Sequence, residues 1–295
     1  MHSVSIIGLG RIGGSLAIAL ARAGFVIRDL VGRRIDGSSG IADLIKPPPR
    51  LITFGEADLE PADIIIICTS DPEIKKVSEQ LSRKITFRPV VLHTSGSLSS
   101  GVLEALAEIG CSTGSLHPLV SISEPVRGAS SYAGAYFCVE GDDAALEAAK
   151  RLAAALGGRH FTIGSDKKSL YHAAAIMASG NVAALFDAAL EMMQSCGIER
   201  ADAKQILLPL LVSMVENLRI QGPENAITGS FARGDFEAFE RHWKLLLSTS
   251  NAGIRRIFLE LGERSLTMVE RKGEVTKETQ TLRNLINMAK AEPEC

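Results

Sequence analysis

The sequence has five cysteines, Cys68, Cys111, Cys138, Cys196 and Cys295, and no C-x-x-C pair among them. Their odd number and wide spacing support neither a zinc site nor a disulfide framework, so free thiols buried in apolar stretches are expected. Histidine shows no H-x-H or H-E-x-x-H spacing, and no metal is expected. Lysine and arginine form no run, and 32 of them against 34 acidic residues leave a net charge of −2. That balance argues against nucleic acid as a partner. No apolar segment is read as spanning a membrane without charged or turn residues, and Met1-His2-Ser3 leads straight into strand-like sequence with no basic targeting region. The expectation is a cytoplasmic protein with no membrane partner. Internal repeats and low-complexity linkers are also lacking; Pro47-Pro48-Pro49 reads as a stiff loop. What remains is a chain of 295 residues, 46% hydrophobic and 22% charged, long enough for two globular domains.

The informative stretch is the first. The apolar run Val4 to Ile7 breaks at Gly8, and Gly8, Gly10 and Gly13 stand at the G-x-G-x-x-G spacing before a helical segment, Ser15 to Ala23. In a strand–turn–helix unit the first glycine permits the turn. The second removes a side chain that would hold a pyrophosphate off the backbone, and the third lets helix and strand pack closely. The helix N-terminus then offers its free N–H groups to the phosphates. A dinucleotide site over Gly8, Leu9, Gly10, Arg11, Ile12 and Gly13 follows.

Which dinucleotide depends on the end of the next strand, where an acid suits a ribose hydroxyl and an arginine a 2′-phosphate. After Phe25 to Val31 the chain reads Gly32-Arg33-Arg34. NADP(H), with Arg33 and Arg34 on the phosphate, is the reading. The alternative is a solvated turn with the acid supplied by Asp29, which lies early inside the strand pattern, or Asp36, which lies late.

Further strands alternate with helices, as in a doubly wound, mostly parallel α/β sheet. Ala62 to Cys68 suits a strand buried on both faces, and Glu73 to Leu81 a crossover helix. Val90 to His93 and Ser112 to Leu116 read as the next strands, with Leu103 to Ile109 as a helix between them. Gly134 to Glu140 and His160 to Ile163 flank a helix from Ala144 to Leu156. The loops Thr69-Ser70-Asp71 and His93 to Ser97 fall at carboxyl ends of strands, where such sheets bind ligands, and Ser95-Gly96 is expected to touch both cofactor and substrate. Beyond Gly164 the pattern is helical: Lys167 to Ser195, Arg200 to Gln221, Phe236 to Leu247, Asn251 to Arg271 and Thr276 to Ala291. Two domains are expected, residues 1–163 for the dinucleotide and residues 164–295 for substrate and dimerisation. The helix holding Leu207, Leu208, Leu210, Leu211, Val212 and Val215 is apolar over more than one stripe, which calls for a homodimer interface.

Candidate chemistry sits mainly on one helix. Lys168 and His172 are spaced i, i+4 and Ser179 lies seven further on, so all three are expected on one wall of a pocket. Either Lys168 or His172 can donate a proton to a carbonyl or imine as hydride arrives; a solvated Lys168 and a backbone-bonded His172 are the plainer alternative. His117, held by Pro118 at the sheet's rim, is the third candidate. Arg233, in a loop from Thr228 to Asp235, can clamp a substrate carboxylate or simply pair with Asp235.

Taken together, Gly8-x-Gly10-x-x-Gly13, Ser70-Asp71-Pro72, His93-x-Ser95-Gly96, His117-Pro118, Tyr171-His172-Ala173 and Thr228-Gly229-x-x-x-Arg233-Gly234-Asp235 resemble the Rossmann-like proteins with a helical C-terminal domain of unknown function. The resemblance covers nearly the whole chain. It implies an NADP oxidoreductase akin to deazaflavin-dependent NADP reductases, pyrroline-5-carboxylate reductase and ketopantoate reductase, reducing a small keto acid or cyclic imine. In the wider 6-phosphogluconate dehydrogenase-like group a helical lysine is followed by asparagine at i+4; Lys168 matches the lysine and His172 stands in place of the asparagine. Where the group has T-G-P, this chain has Thr228-Gly229-Ser230. A non-catalytic NADP(H)-binding module that senses redox state is the alternative reading.

Overall fold

Two β-branched runs form the centre of the sheet domain. Along Val4-Ser5-Ile6-Ile7 and Ile64–Ile67 every residue is buried. Val4, Ile6, Ile64 and Ile66 enter one apolar cluster, while Ile7, Ile65 and Ile67 enter another on the opposite face. This period of two is the geometry of a strand covered on both sides, and each buried isoleucine contributes roughly 1.5–3 kcal/mol over an exposed one.

The computed structural model describes residues 2–33, 39–55, 58–249, 251–273 and 275–291. It falls into two compact units, Met1–Ser179 and Gly180–Cys295. The first contains β1 (Ser3–Ile7), α1 (Arg11–Arg22), β2 (Val26–Gly32), α2 (Ser39–Ala42), β3 (Arg50–Thr53), β4 (Ile64–Ile67), α3 (Asp71–Ser82), β5 (Val90–His93), α4 (Glu104–Ala107), β6 (Ser112–Pro118), α5 (Pro125–Gly128), β7 (Tyr136–Gly141), α6 (Asp143–Ala155), β8 (Arg159–Thr162) and α7 (Lys168–Ala178). The strands form one sheet in the order β3-β2-β1-β4-β5-β6-β7-β8. Its first six positions have the doubly wound order, in which the chain leaves β1 first toward one edge and then toward the other. The pairing of β6 with β7 is antiparallel and every other pairing is parallel. This agrees with the expected fold class. The helix expected over Leu103 to Ile109 is shorter, a 3₁₀ turn at Ser100–Leu103 running into α4.

The expected boundary at Ile163 lies one helix before the division between the units. Helix α7 belongs with the sheet because its side chains are tied there: the Lys168 ammonium donates to Ser115 Oγ at 2.6 Å, and Tyr171 Oη lies 2.7 Å from His117 Nδ1. The single helix expected over Lys167 to Ser195 is interrupted at Ser179, whose φ of −132° and ψ of −79° are not helical.

The second unit contains α8 (Gly180–Ser195), α9 (Arg200–Gln221), α10 (Pro223–Ala226), α11 (Ser230–Arg233), α12 (Phe236–Thr249), α13 (Ala252–Arg271) and α14 (Lys277–Ala291). Its core is a cluster of Phe239, Leu259, Leu266, Leu282, Ile286 and Ala289. The segment read as a loop around Arg233 holds the turn α11, closed by left-handed Gly234 at φ +66°, where a Cβ would lie 2.8 Å from the Thr279 nitrogen. Asp235 does not need Arg233, because its Oδ1 accepts the Ala238 N–H at 2.9 Å and caps α12.

Two expectations drawn from absence need correction. Ser165–Ser195, 31 residues with a mean hydropathy of 1.5 in its most apolar window, is long and apolar enough by length and composition to cross a membrane. Its charged residues are too few to break the window, and its first part, α7, is the helix bonded to the sheet. Of the cysteines, Cys111 and Cys138 are buried and Cys68 is half-buried, but Cys196 is exposed. Cys295 lies outside the described residues.

Candidate functional site

The turn after β1 is built from backbone. Gly8 has φ +98°, a conformation open to glycine, and a Cβ there would lie 2.8 Å from the carbonyl carbon of Cys68. Its N–H donates to the Val31 carbonyl at 2.8 Å, which draws the turn onto the end of β2. At Gly13 a Cβ would come within 1.9 Å of the Gly8 oxygen. Gly13 therefore lies behind the turn and lets α1 approach it. A Cβ on Gly10 would meet nothing within 4 Å, so that position faces open space.

That space is a crevice of ≈ 650 Å³ beyond the carboxyl ends of β1, β2 and β4. Gly8, Leu9, Gly10, Arg33, Thr69 and Ser70 line it, as the motif and its spacing predict. Phe54, Lys76 and Gln80, which no sequence motif marks, also line it. Phe54 follows a short strand that the sequence hardly announces, and Lys76 and Gln80 lie on one face of an ordinary crossover helix. Arg34 and Asp36 lie outside the described residues.

Asp29, the alternative acid, is fully buried and committed elsewhere. Its carboxylate accepts from Arg50 Nε at 2.9 Å and from the Glu60 N–H at 3.0 Å. Burial raises its pKa, against the pull of those partners.

A second hollow, ≈ 330 Å³, adjoins the first and shares Cys68, Thr69 and Ser70 with it. Arg11, Ile12, Asp71, Thr94, Ser95, Gly96, His117 and His172 complete its lining. The loop after β5 is held by hydrogen bonds. Ser95 Oγ accepts the N–H groups of Ser97 and Leu98 at 3.2 and 3.1 Å, and Ser97 Oγ donates to Asp71 Oδ2 at 2.6 Å. His93 braces it from below: its Nδ1 accepts the Ser95 N–H at 3.2 Å, and its Nε2 lies 3.2 Å from the Ser99 carbonyl. With both nitrogens so used, burial takes its pKa down to about 3.

Gly96 is pressed by two rings. A Cβ on it would lie 2.6 Å from His172 Cδ2 and 2.8 Å from His117 Nε2. The two imidazoles stand edge to face, with centroids 5.6 Å apart at 89°. Burial, helped by His172 and Lys168, lowers the His117 pKa to about 4, so its ring is neutral near pH 7.

Two expected wall residues do not share this hollow. Lys168 has no exposed surface; its Nζ donates to Ser115 Oγ at 2.6 Å and lies 3.9 Å from Glu140 Oε2. The i, i+4 spacing with His172 is real, but a long side chain at the start of α7 reaches the polar groups of β6 and β7 before the crevice. Burial lowers its pKa, Glu140 opposing the shift. Ser179 Oγ donates to the Ala175 carbonyl at 2.7 Å, closing its own helix. Arg233 is exposed at the end of α11, in the helical unit. That unit has a hollow of its own, ≈ 760 Å³ and mainly apolar, lined by residues including Met192, Leu246, Ile254 and Phe258. It gathers fewer polar groups than the crevice.

A Rossmann-like domain matches residues 1–118 and a domain of unknown function, DUF2520, matches residues 135–265. The chain thus carries a Rossmann-like domain followed by a DUF2520 domain, in keeping with the resemblance seen in its motifs. No curated protein matches the sequence. Among solved structures, a Thermotoga maritima protein superposes with a TM-score of 0.76 at 22% identity, covering 90% of this chain and 99% of the other. A Bacteroides fragilis protein provisionally assigned as an NADP oxidoreductase gives 0.73 at 19% identity, over 90% and 97%. Pyrroline carboxylate reductase from Plasmodium falciparum, solved with NADP bound, gives 0.57 at 14% identity, over 91% and 98%. At these identities the likeness establishes the fold.

Proposed function

We propose that the protein is an NADP(H)-dependent oxidoreductase that reduces a small keto acid or cyclic imine. One observation carries this reading: a glycine-turn crevice and a histidine-lined hollow meet at Thr69, so a dinucleotide laid along the first would end beside the second. The residues present fit such a cofactor. Thr69 Oγ1 is buried with no hydrogen-bond partner among the described residues, a cost that a ligand hydroxyl or phosphate removes. Gly10 leaves room for a pyrophosphate at the N-terminus of α1. Arg33 lines the crevice while the buried Asp29 cannot serve a ribose hydroxyl, which favours a 2′-phosphate. The relatives solved with NADP or named as NADP enzymes support the same choice.

When bound, NADPH supplies the hydride. The chain's own part is to hold and exclude. Arg33 and Lys76 provide positive charge at one end of the crevice. Ser95 and Gly96 form the floor of the hollow, and His117 and His172 stand within reach of a substrate heteroatom there. Arg11, at the mouth of the hollow, suits a substrate carboxylate.

The protein acts, in this reading, as a homodimer. In α9 only Ala203 is buried, while Ile206, Leu210, Val212, Val215 and Ile220 are each more than half exposed. Apolar side chains exposed on more than one stripe of a helix need a second surface.

Titration with NADPH and NADH tests the cofactor, and NADPH oxidation with ketopantoate, pyrroline-5-carboxylate and related compounds tests the reaction. Preference for NADPH with turnover of any of these supports the reading. Equal affinity for both cofactors overturns the NADP assignment. Binding without turnover of any keto acid or imine favours a redox-sensing module. Sedimentation at micromolar concentration tests the dimer, and a monomer would exclude it.

A further inference from the structure

His117 ends in the hollow, but one of its nitrogens is already taken. Tyr171 Oη lies 2.7 Å from His117 Nδ1, with the rings edge-on at 5.6 Å and 84°. Phe161 packs edge-on against Tyr171 at 5.6 Å and keeps the phenol in place. A phenol is a better donor than acceptor, and an unprotonated imidazole nitrogen is a strong neutral acceptor, so Tyr171 donates to Nδ1. The ring's own proton then sits on Nε2. That nitrogen lies on the Gly96 side of the ring, 2.8 Å from where a Cβ on Gly96 would be.

Resting on the oxidoreductase reading, we infer that Tyr171 is a positioning residue that locks His117 in the Nε2–H tautomer, and that this N–H is the hydrogen-bond donor to the substrate's carbonyl oxygen or imine nitrogen. The role does not require His117 to release a proton. It polarises the bond that receives hydride, and the proton comes from another group on the same hollow, such as His172, or from water. The depressed pKa of His117 gives the lock its purpose. A protonated imidazole donates from both nitrogens, whereas a neutral one donates from a single nitrogen that must be chosen. His93, one strand away, shows the contrasting case in which both nitrogens are spent on the loop and none reaches a ligand.

The test uses the full chain labelled with ¹⁵N, with histidine tautomers assigned by two-bond ¹H–¹⁵N correlation at pH 7. Wild type is expected to show His117 as Nε2–H and Tyr171→Phe a mixture of tautomers. Tyr171→Phe should also lower kcat roughly tenfold, with KM and NADPH affinity changed less. His117→Gln, which keeps an N–H near the Nε2 position, should retain more turnover than His117→Ala. An Nδ1–H tautomer in wild type, or a Tyr171→Phe protein with unchanged tautomer and unchanged kcat, would overturn the proposal. The wild-type spectrum decides the lock even if Tyr171→Phe fails to fold. Failure to bind NADPH would instead remove the oxidoreductase reading and leave the tautomer measurement standing.

Discussion

The two ends of the crevice are made from different materials. At the β1–β4 end the phosphate-sized floor is backbone, shaped by three glycines within six residues of one another, with Arg33, Phe54, Lys76 and Gln80 around it. At the β5–β6 end the surface is side chains drawn from separate segments, among them Arg11 on α1, Asp71 on α3, Ser95 in the loop after β5, His117 on β6 and His172 on α7. The first kind of site tolerates almost no added volume but asks little of its neighbours' chemistry. The second depends on the choice of atom at each position and on which hydrogen bonds are already taken.

The sharpest break in this comparison should come from volume at the glycine end. Gly13→Val places atoms inside the van der Waals radius of the Gly8 oxygen, 1.9 Å from the would-be Cβ. It should cost about 3 kcal/mol of stability and abolish measurable NADPH binding, read by thermal unfolding and titration.

At the other end the loss should be chemical. His117→Ala is expected to lower kcat by roughly 10²- to 10³-fold, as for removal of one preorganised donor, while NADPH affinity stays close to wild type. Should NADPH binding collapse together with turnover, the two ends are not separable.

Arg33→Ala sharpens the first end further. Losing one charge-assisted contact should weaken NADPH by roughly ten- to a hundredfold and leave NADH nearly unchanged, as measured by calorimetry.

A separate effect is on pH dependence. His93 titrates at about 3 in the folded chain against an ordinary 6.5. Between those values the unfolded chain binds more protons than the native one, so stability rises with pH. The contribution is complete above about pH 6.5 and is lost as pH falls toward 3. Urea midpoints at pH 7 and 4.5 should differ less in His93→Gln than in wild type.

The sheet was largely legible because its signals are local. The β-branched runs and the glycine spacing name β1, β4 and the turn, and Gly32-Arg33 marks the end of β2. Strand β3 escaped because Arg50–Thr53 is short and follows a proline run, and with it went Phe54. At the histidine end the sequence brought out His117, His172 and the Ser95-Gly96 loop, but not what distinguishes them. Nothing in the spacing of Lys168 and His172 tells that one side chain enters the sheet and the other the hollow. Tyr171 was visible only as a neighbour in a motif, because its role depends on His117, 54 residues earlier.

The buried contact of Lys168 has one more consequence. Successive residues on a helix are turned by about 100°, so fixing one side chain fixes the azimuth of all the others. Ser115 and Glu140 receive Lys168 at the first residue of α7, and Glu140 is itself held by the Ser100 N–H and hydroxyl at 2.9 and 2.6 Å. A buried ion pair of this sort adds little net stability over an apolar replacement but restricts which arrangements can form. Lys168 thus works as an indexing pin. It is the reason that Tyr171 and His172, three and four residues later, meet His117 instead of turning past it.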